Sequence, residues 1–531
     1  MDNYLIEIIS RKDYISLSIA AAAVGLAAKY SYNIYSNSRQ NYINKDGFKN
    51  IPSPPGSYPY IGHMLTLNIC PGEQVKRWHE ELGPIISLKM GAQPWVCISD
   101  QNIAHEIFVR NGVKSVNRPN HDFGYQVYSR VYRGLIFGST DKAWKNARAA
   151  AQIILSPKYV DKFQSALVST VDTVFKLMRE EAEINGSVNP AKYFYMTTYS
   201  SILTAVFGKT VQSLDDPNLK DITFFVDHSN KYVTPIGALG SYLPHFEWIY
   251  RFTQHKAQMN AIVEVRDKLF TKLLHEAVSG DIDCLAKKLF MLKEEYNLDE
   301  MDLIILTGDL IGAGGETSGT SLTWLLAILS NYPEMQKKIS DEIDSVIEKE
   351  GRIPTFSDRA DMPFTTAVLR ENIRFRSCTN FGLPHYLEDD VEVFGYLIPK
   401  GTTLMTSMHA IHMNPDIYDE PEKFKPERFL NFTKTWSAAA NGGIKERDMF
   451  AFGWGRRVCP GIYFAEMEIF NMCVRIFSQC TVEPPYGLNG ELKSVDMETI
   501  YSGGIIAAPL EYKIRFVTRA NSLANTLKKS N

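Results

Sequence analysis

The sequence predicts a mainly α-helical protein with a minor β portion, and three observations carry that expectation. Stretches between about 140 and 350 repeat apolar residues at the helical period, 258–276 and 333–349 most clearly. Residues 390–401 (DVEVFGYLIPKG) alternate and then turn, as a short hairpin does. A further helical run, 461–480, follows a glycine-rich loop that carries a cysteine. At 531 residues with 45% hydrophobic and 12% aromatic side chains, the chain can bury a large core. Basic and acidic residues nearly balance, 57 against 60, for a net charge of −3. That balance gives no basic excess for nucleic acid and no acidic tail. Seven scattered cysteines, odd in number, do not make a disulfide framework and point to a reducing compartment.

Taken in order, the N-terminus comes first. Residues 14–28 (YISLSIAAAAVGLAA) carry no charge, and Lys29 leads into the tyrosine-rich stretch 30–35. A spanning helix needs about 20 apolar residues. This run reaches that length if Lys29 snorkels and the tyrosines sit at the interface. A transmembrane helix is therefore expected ahead of the folded body. Lys29, Arg39, Lys45 and Lys49 outnumber Arg11 and Lys12, which places the body on the cytosolic side. A cleaved signal peptide, with an apolar core of about 7 to 15 residues, is the competing reading. Four prolines fall within residues 52–59, read either as a stiff spacer or as an ordinary loop into the domain. The expected division is thus an anchor and connector over 1–50 and a catalytic domain over 51–531, with a proline-rich hinge at 51–59. Residues 437–443 (SAAANGG) read as an exposed loop.

The stretch 302–329 is apolar enough for a buried helix, yet holds five glycines between Gly308 and Gly319. Each interior glycine costs about 1 kcal/mol relative to alanine. The region is either a helix pair joined by a glycine-rich loop or a locally distorted helix crossing close to a ligand. Several chemistries are excluded. Gly208-Lys209-Thr210 has Leu203 where a phosphate loop needs glycine. His79-Glu80 and His275-Glu276 lack the second histidine of a zinc-protease helix. Gly312-Ala313-Gly314 lacks the third glycine of a dinucleotide site, and no G-x-S-x-G elbow occurs.

The informative stretch is Phe452-Gly453-Trp454-Gly455-Arg456-Arg457-Val458-Cys459-Pro460-Gly461. Gly453 and Gly455 permit a tight turn. Pro460 and Gly461 stand where the next helix begins, so its N-terminus would stabilise a thiolate. Arg457 supplies positive charge for an acidic group close to the sulfur. A thiolate beside a cation, beneath a flat cofactor carrying carboxylates, is what haem ligation requires. This stretch resembles the cytochrome P450 signature F-x-x-G-x-R-x-C-x-G, met at Phe452, Gly455, Arg457, Cys459 and Gly461. The resemblance runs from roughly residue 50 to 515. It implies the cytochrome P450 fold, with Cys459 as axial ligand of haem b (iron protoporphyrin IX) and Arg457 paired with a propionate.

Other segments resemble further family motifs in the family's order. Glu371-Asn372-Ile373-Arg374 with Arg428 of Pro426-Glu427-Arg428-Phe429 resembles the structural E-x-x-R and P-E-R-F ion network. Ala313-Gly314-Gly315-Glu316-Thr317 is similar to the distal-helix signature A-G-x-(D/E)-T. The similarity implies that Thr317 and Glu316 deliver protons to dioxygen, with Gly314 leaving room for it. Trp144 and Arg148 resemble the W-x-x-x-R helix that meets a propionate, and His385 corresponds to a histidine that meets the other.

The implied activity is a microsomal-type monooxygenase that hydroxylates a lipophilic small molecule, such as a steroid, fatty acid or xenobiotic. It would draw electrons from NADPH through NADPH–cytochrome P450 reductase, with cytochrome b5 as a further partner, at the endoplasmic reticulum membrane. Lys142, Lys145, Lys445, Arg447 and Arg456 would form the face for an acidic reductase. By the resemblance the pocket is expected from 123–137, 224–243, the distal helix, 379–383 and 502–506. Two rivals stand beside this reading: a haem-thiolate isomerase or dehydratase, and a non-enzymatic membrane haem protein.

Overall fold

The computed structural model describes Gly25 and residues 44–530, apart from 68–69, 132, 235–236, 245–253, 488 and 504. The expected transmembrane segment 14–35, Gly25 excepted, lies outside the described residues. Among the described residues no helix is long and apolar enough to cross a membrane.

The elements that frame the site, in chain order, begin with helix α1 (Pro71–Leu82) and strands β1 (Ile85–Met90) and β2 (Gln93–Ile98). Helices α2 (Lys142–Ile154), α3 (Gln164–Asn185), α4 (Ala191–Phe207), α5 (Pro217–Tyr232) and α6 (His255–Ser279) follow. Next come α7 (Glu300–Leu329), α8 (Pro333–Glu350) and α9 (Pro363–Phe375). The β-rich part holds β3 (His385–Tyr386), β4 (Val391–Val393), β5 (Tyr396–Ile398) and β6 (Thr403–Thr406), and α10 (Ile462–Gln479) closes the site. The helices expected at 258–276, 333–349 and 461–480 are α6, α8 and α10. The expected hairpin is β4–β5, pairing Val391 with Ile398. Its turn residues Phe394 and Gly395 both have positive φ, 48° and 84°, the twist that suits a tight hairpin.

Helix α7 settles the glycine question. It runs unbroken for 30 residues from a capping box at Asp299 and Asp302, about 45 Å at 1.5 Å per residue. The helix-pair alternative is overturned, and the backbone stays helical through all five glycines. The glycines let neighbours approach instead. A Cβ on Gly315 would lie 2.1 Å from the ring of Tyr199, and one on Gly319 2.6 Å from Tyr195. Helix α4 therefore seats directly on the α7 backbone, and burial there offsets the propensity cost.

Two other expectations change. Residues 437–443 were expected as an exposed loop, but Trp436–Ala440 is a helical turn with Trp436, Ala439 and Ala440 buried. Thr435 caps it and Trp436 packs against Phe452, 5.8 Å between rings. At the proline-rich stretch, Ile51 is buried and the Ser87 amide donates to Pro52 O at 2.8 Å. Its first residues thus dock on the sheet, whose order is β1-β2-β6-β3.

Candidate active site

The cysteine loop is shaped by two left-handed glycines, Gly453 at φ 77° and Gly455 at φ 54°. A Cβ on Gly455 would stand 2.2 Å from the Phe108 carbonyl oxygen, so no other residue fits. The Cys459 amide donates to Phe452 O at 2.9 Å, closing the loop before Gly461 caps α10. Burial pushes the Cys459 thiol above its ordinary range, while the Gly461 amide and Arg148 pull it down. A cavity of about 380 Å³ opens over Cys459 and extends to Glu316 and Thr317 on α7. Ala313, Gly314, Phe452 and Gly461 also line it.

One wall is strongly cationic. Arg457 donates to Val116 O, Leu135 O and Gly138 O at 2.9, 2.8 and 2.7 Å. Its guanidinium lies 4.1 Å from the Trp144 ring, and Trp144 Nε1 donates to Leu135 O. Arg148 donates to Val458 O, while its buried Nε has no partner. Arg118, a residue the sequence reading missed, donates to Ile136 O, Leu383 O and Pro384 O. Burial and mutual repulsion press these charges: Arg457 is lowered to about 7, and Arg118 to about 9. Among the described residues no carboxylate pairs with any of the three. Such a cluster is costly unless an anion enters it, and a flat cofactor with carboxylates at one edge and a metal over Cys459 fits the donor set.

His385 belongs to this wall. Its Nδ1 meets Ser115 O at 2.7 Å, and its ring packs edge-on against Phe108. Burial first, then Arg118 and Arg457, hold it well below its usual range. A neutral His385 that donates from Nδ1 offers only an acceptor at Nε2, so donation to a carboxylate requires the anion to raise its basicity first.

Across the cavity, Thr317 Oγ1 donates to Ala313 O at 2.8 Å. The Glu316 carboxylate receives Asn230 Nδ2 on both oxygens at 2.9 Å. Burial raises Glu316 to about 7, and Asp227 adds to the rise. Gly314 is not the tight position: a Cβ there would meet Ile202 at an ordinary 3.5 Å, and the crowded glycine is Gly315. Behind the cysteine loop, Glu371 is fully buried and forms a fork with Arg374 at 2.7 and 2.8 Å. Arg428 Nε reaches the same carboxylate at 3.2 Å. The remaining wall is apolar, with Phe123, Phe137, Phe225, Phe381, Leu383 and Ile506. Phe224 points away and is exposed.

A family model for cytochrome P450 matches residues 52–515. The chain belongs to the cytochrome P450 family. Among curated relatives, cytochrome P450 monooxygenase 79 of Postia placenta is 26% identical, over 91% of this chain and 92% of its own length. Cytochrome P450 81F4 of Arabidopsis thaliana is 30% identical over 81% and 85%. A zebra fish cytochrome P450 solved with progesterone matches the fold at a TM-score of 0.72 and 23% identity, covering 85% of this chain and all of its own. The protein is thus an oxidoreductase of a family whose members carry haem and take a substrate, dioxygen and a redox partner, NADPH acting through a reductase. The Cys459 loop and the three unpaired arginines fit that haem.

The expected partner-facing set loses one member. Arg447 is buried, bonded to Gly453 O and stacked 3.9 Å over the Trp454 ring. It therefore shapes the cysteine loop of this cytochrome P450 from within, while Lys142, Lys145, Lys445 and Arg456 are exposed.

Proposed function

We propose that this cytochrome P450 is a monooxygenase that hydroxylates a lipophilic small molecule of steroid, fatty-acid or aromatic xenobiotic type. The observation that carries this is one apolar cavity that joins the cysteine loop to an acid and a hydroxyl, Glu316 and Thr317. Haem bound there supplies the one-electron and dioxygen chemistry, with Cys459 as its thiolate ligand. Arg118, Arg148, Arg457, Trp144 and His385 would receive the two propionates. Ala313 and Gly314 would flank the distal face, and Phe452 and Gly461 the proximal one. Glu316, raised to about 7, is divided between its acid and carboxylate forms at neutral pH, and with Thr317 it can supply a proton to the cavity. Retention of this pair favours the monooxygenase over the isomerase and the non-enzymatic haem protein.

The enzyme works as a single-pass protein of the endoplasmic reticulum membrane, its body in the cytosol. NADPH–cytochrome P450 reductase supplies its electrons, and cytochrome b5 is a second donor. The deciding measurement is the carbon monoxide difference spectrum of the reduced full-length protein and of Cys459→Ala. The expected result is a strongly red-shifted Soret band, lost in the variant. An imidazole-like band in both would overturn the assignment.

A further inference from the structure

Helix α5 faces the cavity with Val226, Ser229 and Asn230, and its C-cap Val233 continues the line, the i, i+3, i+4, i+7 spacing of one helical stripe. A stripe over an apolar cavity calls for four apolar residues, and its two central positions are polar. Asn230 spends its amide hydrogens on the Glu316 carboxylate. Its amide oxygen has no hydrogen-bond partner among the described residues. The adjacent Ser229 hydroxyl is buried and also unpartnered. The Asn230 oxygen thus opens on a cavity walled mostly by apolar side chains, and such a site discriminates against ligands that cannot complete its hydrogen bonding.

We propose that Asn230 is a specificity-determining residue: its amide oxygen receives an O–H donor of the substrate while its amide hydrogens position Glu316. The preferred substrate is therefore a lipophilic alcohol rather than a bare hydrocarbon, keto compound or ether. This rests on the monooxygenase reading and deepens it by naming the substrate class. A bound alcohol fixes the Asn230 side chain, and with it the Glu316 carboxylate to which it donates. Asp227 on α5, Tyr195 and Tyr199 on α4, and Cys378 are the titratable groups that share this electrostatic environment. None of these four is a cation, which leaves Asn230 as the group that holds Glu316 in place.

The test uses the full-length holoprotein and substrate-binding spectral titrations. The probes are three alcohols of linear, bicyclic and tetracyclic skeleton, each paired with its methyl ether. In wild type at least one alcohol should bind about 5-fold tighter than its ether, the worth of one neutral hydrogen bond. In Asn230→Leu that preference should vanish, with Asn230→Ala as the second variant and the reduced carbon monoxide spectrum reporting folding. No preference for any alcohol in wild type, or a preference that survives in the variants, overturns the proposal. Proton delivery is read separately, from turnover in Glu316→Gln. Unchanged turnover there would sink the delivery role and leave the equilibrium preference standing.

Discussion

Glu371 sits wholly inside the protein, and its charge is met by Arg374, Arg428 and the Lys425 amide. Substituting Glu371→Gln keeps the shape and removes the anion, which strands the buried Arg374 guanidinium. Breaking one side of a buried pair costs about 3–5 kcal/mol, so the variant should show a lowered Tm and little reduced carbon monoxide signal. A variant with wild-type Tm would show that the network is solvated after all. Glu316 behaves differently because its role depends on a proton. Burial raises it from 4.5 to about 7, so the acid form dominates below that pH and is lost above it. Product formed per NADPH consumed should fall as pH rises through about 7, and Glu316→Gln should flatten that limb. Measuring product and peroxide from about pH 6 to about pH 9, on both sides of that pKa, decides it.

Helices α4, α7 and α10 meet at another carboxylate, Glu468, which is buried with no cation against it, and only the Ser201 and Ser318 hydroxyls lie close enough to favour its charge. Burial raises it from 4.5 to about 8, with Ser318 and Ser201 opposing. An acid raised in the folded state contributes stability that is complete below pH 4.5 and lost as pH climbs toward 8. Glu468→Gln, which is neutral at every pH, should therefore be more stable than wild type near pH 8 and lose that advantage below pH 5, as thermal melts would show. Equal melting curves at pH 8 would mean that the carboxylate finds a charge partner. Helices α6, α8 and α10 were readable beforehand because their apolar period is local, and the cysteine loop because five fixed positions lie within ten residues. Asn230 and Glu316 stand 86 residues apart, and neither Asn230, Arg118 nor Glu468 sits in a pattern that its neighbours reveal. Trp436–Ala440 was misread for a related reason. Its small residues suit a loop by composition, and only packing of Trp436 on Phe452 makes them a buried turn.

At the scale of the whole molecule, the question is how an electron reaches the cavity over Cys459. Cys459 lies under the α2 and α10 side of the body, and the cationic residues expected there divide by burial. Arg447 is spent inside, held by Gly453 O and Trp454, so it cannot meet a partner. Lys142, Lys145, Lys445 and Arg456 are exposed, and none forms a salt bridge among the described residues. Exposed charges of one sign act on association more than on final affinity, and salt screens them. Reversing two of them, as in Lys142→Glu with Lys445→Glu, should slow reduction by the proposed reductase about tenfold at low salt. The gap should shrink as ionic strength rises, while the reduced carbon monoxide spectrum stays unchanged because neither residue touches the cavity. Arg447→Glu should behave in the opposite way, losing the spectrum itself. Stopped-flow reduction across a salt series separates the two, and salt-independent slowing in the double variant would move the electron-entry face elsewhere on the body.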